Sequence, residues 1–174
     1  MVFLCTNVDD YGMFSSDPDW HVGFLKNFNK IYEVKDEGPI TRWFGINYVW
    51  SVDRQSVEIH QKDEILAACA QFGFERESTR QVSTPMETNF NSTKVDTEAT
   101  DYVKPAYDFQ SANGSQLWHA RTSRSDVKTA VTFLCAHGAN FSEYLVDCSK
   151  RIFRYFISTI DDQVLVIETR TSTR

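Results

Sequence analysis

Two adjacent carboxylates, Asp9 and Asp10, are the side chains of this sequence best suited to chemistry. Ionised side by side they repel each other, so a site that keeps both charged at neutral pH calls for a cation. Aspartate oxygens suit Mg²⁺ or Mn²⁺. The same pair suits a plain polar turn, in which Asp bonds the backbone, and a motif this short has many chance matches. Few other groups compete. His21, His60, His119 and His137 show no ligand spacing. Cys5, Cys69, Cys135 and Cys148 form no Cys-x-x-Cys pair, which argues against zinc. In apolar surroundings they read as buried thiols of a reducing, intracellular compartment.

The elements that must position the Asp pair are short. Val2–Cys5 and the run from Tyr11 flank Asn7-Val8-Asp9-Asp10, the pattern of a β-hairpin. Asp17 suits a helix N-cap and Pro18 the first helical position, with Trp20, Phe24, Phe28 and Ile31 at helical spacing and Gly38-Pro39 closing the segment. Residues 40–50 are rich in strand formers and 56–60 alternate, which predicts a second hairpin. Gly45 inside it suggests a bulge or the close approach of another backbone. Asp63 to Phe72 reads as a helix lined by Leu66, Cys69 and Phe72 and capped by Gly73.

Residues 83–104 are polar and poor in large apolar groups, which predicts a linker. Beyond it the period is helical. Tyr107 to His119 makes one helix. Val127, Ala130, Val131 and Leu134 make a second face with Ser125 able to cap it. Asn140 with Glu143 resembles a capping box for a third. That helix buries Leu145, Cys148, Ile152, Phe153 and Phe156 and exposes Asp147, Lys150, Arg151 and Arg154. Val164 to Ile167 reads as a last strand.

The 174 residues suffice for one domain or two small subdomains, and 41% apolar and 14% aromatic content predicts a packed core. A net charge of −6 argues against nucleic-acid binding by charge alone. The charge is uneven: residues 1–118 carry 18 acidic and 10 basic groups, residues 119–154 carry 3 and 6. That suggests a basic face in the second half, or simply a solvated helix surface. No apolar run of about 18 residues predicts a membrane span. The chain opens inside an apparent strand, which gives an expectation of truncation.

In this order the motifs resemble a family, the reverse transcriptases of Ty1/copia-type retrotransposons. Asn7-Val8-Asp9-Asp10 resembles the Tyr-x-Asp-Asp hairpin of the palm. Val34-Lys35-Asp36-Glu37-Gly38-Pro39 is similar to Met-Lys-Asp-Leu-Gly-Pro, and Trp43-Phe44-Gly45-Ile46 to the Phe-Leu-Gly-Ile primer grip. Ile59-His60-Gln61-Lys62 and Val82-Ser83-Thr84-Pro85-Met86 match Leu-Ser-Gln-Lys and Val-x-Thr-Pro-Met. Asn113 to Trp118 with Ala120 to Asp126, then Lys150 to Phe156 with Thr159, resemble the family's later helical motifs. The resemblance covers about residues 3 to 167.

It implies an α+β fold: a truncated polymerase palm over residues 1–82 with two β-hairpins and a helix, a linker over 83–104, and a helical thumb/connection region over 105–174. It implies an RNA-directed DNA polymerase, a nucleotidyltransferase acting on an RNA/DNA template-primer, with Asp9 and Asp10 as catalytic ligands of Mg²⁺ or Mn²⁺. Lys35 becomes a candidate general acid, or stays a solvated loop cation. Trp43, Phe44 and Gly45 become candidate primer contacts, or a core hairpin. Arg121, Arg124, Lys150, Arg151 and Arg154 become candidate phosphate contacts. The earlier palm strand with the third carboxylate and the fingers are not matched. Metal binding is therefore expected to be weak and the chain inactive alone. Asn7 stands where the family has Tyr, and Ser125 where it has Pro. Two other readings remain: a domesticated nucleic-acid- or protein-binding module without catalysis, and an unrelated metal-dependent phosphotransfer enzyme, which needs a further acidic residue beside the pair.

Overall fold

The computed structural model describes residues 2–15, 17–88, 90 and 102–168. The fold is α+β, with two antiparallel sheets and five α-helices among the described residues. Contacts divide the chain into two compact units, Met1–Thr41 and Arg42–Arg174.

In the first unit β1 (Val2–Asn7) pairs antiparallel with β2 (Asp10–Ser15), in a register running from Val2 opposite Ser15 to Asn7 opposite Asp10. The loop is therefore Val8-Asp9, a two-residue hairpin connection. Helix α1 (Pro18–Phe28) starts as its sequence predicts: Asp17 accepts from the backbone N–H of Asp19 at 3.0 Å and of Trp20 at 3.3 Å. It stops short of Ile31, which is exposed. The reason is local: the Asn29 side chain accepts from the N–H of Val34 at 3.0 Å and turns the backbone away from the helix. Cys5, read as buried, is exposed; it sits opposite Gly12, in a hairpin that has one helix to pack against within its unit.

In the second unit β3 (Arg42–Trp43), β4 (Ile46–Trp50), β5 (Ser56–His60) and β6 (Leu165–Glu168) form one antiparallel sheet in that order. Residues 40–50 thus hold a hairpin of their own, turning at Phe44-Gly45. The last strand pairs with β5, Leu165 opposite Ile59. Helices α2 (Lys62–Gln71), α3 (Phe109–Thr122), α4 (Lys128–Cys135) and α5 (Glu143–Ser158) carry the core. The expected face of Val127, Ala130, Val131 and Leu134 is buried throughout, as are Leu145, Ile152, Phe153 and Phe156 of α5. Cys148 is half-buried.

Two expected caps move. Ser125 opens a 3₁₀ turn rather than capping α4. Helix α5 is capped by Ser142, whose hydroxyl accepts from the N–H of Leu145 at 3.4 Å, not by Asn140. Ser142 stands directly before the first helical turn with the extended backbone an N-cap needs. From α2, Ile65 and Cys69 join the same cluster, so segments on both sides of 83–104 share one core. Of that expected linker, residues 89 and 91–101 lie outside the described residues. Among the described residues no helix is long and apolar enough to cross a membrane.

Candidate functional site

The Asp pair stands at the tip of the first hairpin. Asp9 is the second loop residue and Asp10 the first residue of β2, both exposed. Val8, before them, is 86% exposed with φ +48°. A β-branched residue pays a steric cost in that left-handed region, about 1–2 kcal/mol. Strain of this kind is a pointer to function where the surroundings hold it in place. Beneath the hairpin runs an aromatic ladder along α1. Trp20, Phe24, Phe28 and Tyr32 follow one another at 5.0, 5.3 and 5.2 Å between ring centres, and Tyr11 of β2 meets Phe28 edge-on at 5.3 Å. The i, i+4 spacing made the first three legible; Tyr32 lies past the helix end and was missed.

Among the described residues no group of three His, Cys, Asp or Glu side chains is placed to share a metal ion. Lys35 lies in an irregular, exposed segment and pairs with Glu37 at 2.7 Å. The hydrogen bond that Lys35 donates to Glu37, then the charge of that carboxylate, raise the Lys35 pKa and hold it as an ammonium.

The second hairpin presents Trp43 and Phe44. Their rings meet at 4.8 Å, and both loop residues are left-handed, Phe44 at φ +55° and Gly45 at +67°. A Cβ on Gly45 would meet the Glu64 side chain, so the close approach read from the sequence is to a side chain of α2 rather than a backbone. Glu64 also takes Arg42 at 2.9 Å.

The basic candidates separate. Arg124 is 1% exposed and belongs to the interior: it grips Asp126 through two hydrogen bonds of 3.0 and 2.8 Å, donates to Thr159 at 2.7 Å, and packs over Tyr155 and Phe156. A phosphate has no path to it in the folded chain. Arg151 is committed to Thr84 and Glu87. Lys150 covers the Tyr107 ring and Arg154 the Phe74 ring, with their stems half-buried as amphipathic side chains often are. Arg121 is exposed on α3.

One arrangement escaped the sequence. Helices α2 and α3 leave a groove of about 240 Å³ between them, lined by Glu64, Gln71, Ser115, Trp118 and His119 over the small Ala67 and Ala68. His119 is 2% exposed and its Nδ1 has no partner among the described residues. Burial, then the nearby Arg124 charge, push its pKa down to about 4, so it is neutral. The signal was present as Ser115, Trp118 and His119 at i, i+3, i+4 spacing, but nothing in one helix names its partner helix.

Comparison with known proteins finds a likeness to the "Putative transposon Ty5-1 protein YCL074W" of Saccharomyces cerevisiae, 22% identical over 158 residues. The match takes in 91% of this chain and 49% of that protein, so the chain spans about half the length of the curated relative it matches. No family model and no solved structure matches. The likeness suggests a retrotransposon-derived protein.

Proposed function

We propose that this chain is a segment of an RNA-directed DNA polymerase of the Ty1/copia type: the Asp-bearing end of the palm, the primer-grip hairpin and a helical thumb/connection region. The observation that carries the reading is the strained two-residue turn that puts Val8-Asp9-Asp10 at a hairpin tip. A second hairpin with an aromatic tip and a following helix, in the family's order, supports it. So does the likeness to a transposon protein across most of the chain.

Asp9 and Asp10 are the residues that would hold Mg²⁺ or Mn²⁺, which supplies charge neutralisation and polarisation at a phosphoryl group. They fit part of a site. Mg²⁺ calls for near-octahedral oxygen coordination and keeps several waters, and among the described residues no third carboxylate stands with the pair. This chain's own contribution is then to bind and orient a template-primer. Trp43 and Phe44 meet the backbone of the primer, and Arg121, Lys150 and Arg154 add cationic contacts, while Arg124 and Arg151 hold the fold. With a net charge of −6 the binding is weak and salt-sensitive.

The test is fluorescence anisotropy of a labelled RNA/DNA primer-template. Wild type should bind at low salt and release as salt rises, and the Trp43→Ala, Phe44→Ala double variant should bind several-fold more weakly. No binding by wild type at low salt, or full binding by a stably folded double variant, sinks the reading.

A further inference from the structure

We infer that the groove between α2 and α3 takes one unstacked nucleobase of a single strand; this rests on the nucleic-acid reading above and gives it a site. The groove is about 240 Å³, below the usual range for drug-sized pockets, so it admits one ring system. The small Ala67, Ala68 and Ser115 in its lining leave room between the two helices. Its wall is the indole of Trp118, 46% exposed and with no ring partner among the described residues. A half-exposed indole is a stacking surface, and every base has a π-face.

The polar groups suit a base edge, which carries donors and acceptors together. The Gln71 amide offers both and Glu64 accepts; His119 also lines the groove but is 2% exposed and contributes packing. The charge also fits. Glu64 is neutralised by Arg42 at 2.9 Å, so the groove does not repel a polyanion. Arg121 follows Trp118 by three residues on α3 and is exposed, within a helical turn of the stacking face, where a phosphate belongs. A guanidinium stacked on Trp118 is the competing occupant, and the displacement arm of the test separates the two.

The test uses the full chain, a labelled single-stranded oligonucleotide of mixed sequence, and the same sequence as a duplex. Two variants probe the slot: Trp118→Ala removes the wall, and Ala67→Leu fills the space from an exposed position. Both should keep the wild-type melting curve. Both should lose roughly tenfold in affinity for the single strand, with duplex binding unchanged. Wild-type affinity in both variants overturns the groove alone, as does an equal loss for single strand and duplex. Displacement of the strand by arginine amide but not by adenosine monophosphate also overturns it, in favour of a guanidinium site. Failure of wild type to bind either nucleic acid overturns the nucleic-acid reading together with the groove.

Discussion

A Cβ built on Gly45 lies 3.0 Å from both Cγ and Cδ of Glu64, so the tip of the second hairpin rests directly on the first turn of α2. The same carboxylate takes Arg42 from the strand below that tip. Helix and hairpin are thus joined at two points by one side chain. Gly45→Ala should destabilise the second unit by about 1–2 kcal/mol, chiefly because φ is +67°. The crowding itself is cheap, since Glu64 is long and half-exposed. Urea unfolding with an unchanged slope reads the effect. The same loss in a Glu64→Ala background assigns it to backbone strain; a loss that vanishes there assigns it to crowding.

Arg124 and Arg121 should behave oppositely. Arg124→Ala leaves Asp126 and Thr159 without their buried partner and should cost about 3 kcal/mol or more. Burial alone would raise the Asp126 pKa, but the hydrogen bonds and charge of Arg124 lower it instead, which marks how closely the pair is coupled. Arg121→Ala touches a surface residue and should leave stability within about 0.5 kcal/mol while weakening primer-template binding. Thermal unfolding beside anisotropy separates the two.

His119 should make stability pH-dependent in a defined window. Its folded pKa of about 4 lies below the ordinary 6.5, so the unfolded chain binds the proton more tightly. Stability should therefore fall as pH drops from about 6.5 to about 4, by at most about 3 kcal/mol. Asp126, lowered from 3.8, adds its own loss only below that window. His119→Gln should flatten the unfolding free energy between those pH values; an unchanged slope would assign the dependence to other groups.

Much of this architecture was legible. Apolar runs on either side of Asn7-Val8-Asp9-Asp10 gave the first hairpin, while its register, Asn7 opposite Asp10 around a two-residue loop, is seen only in the structure. The α4 and α5 faces were legible because period and burial agree. The misses share a cause: competing local bonds. Asn29 ends α1 early by accepting from Val34, and Ser142 takes the cap expected of Asn140. The site was legible where it is local in sequence, at Asp9-Asp10 and Trp43-Phe44. It was not where it depends on tertiary packing. Arg124 reads as one more surface cation until the Asp126 and Thr159 contacts appear, and the α2–α3 groove exists only once the helices meet.

Metal binding at the hairpin tip should be weak. Asp9 and Asp10 are exposed, and two carboxylates without a third supply few of the anchored oxygens a hard cation needs. Mn²⁺ titrated into the chain should bind no better than about millimolar, the weak end for oxygen-ligand sites. Tight binding that Asp9→Ala abolishes would mean that another ligand completes the site.

The chain alone should not extend a primer. Phosphoryl-transfer catalysis comes almost wholly from positioned metals and cationic clamps around the transferring group. Here two carboxylates stand on a strained turn. Among the described residues nothing completes a metal cage, and Lys35 is paired with Glu37 in an exposed loop. A reacting group held loosely loses rate steeply, about a hundredfold for a displacement of roughly 1 Å. Primer extension with Mg²⁺ and with Mn²⁺ should therefore match an Asp9→Asn, Asp10→Asn control. Extension by wild type that the double variant lacks would show that this pair, in this chain, assembles a working centre, and that the remaining ligand comes from a second copy or from residues outside those described.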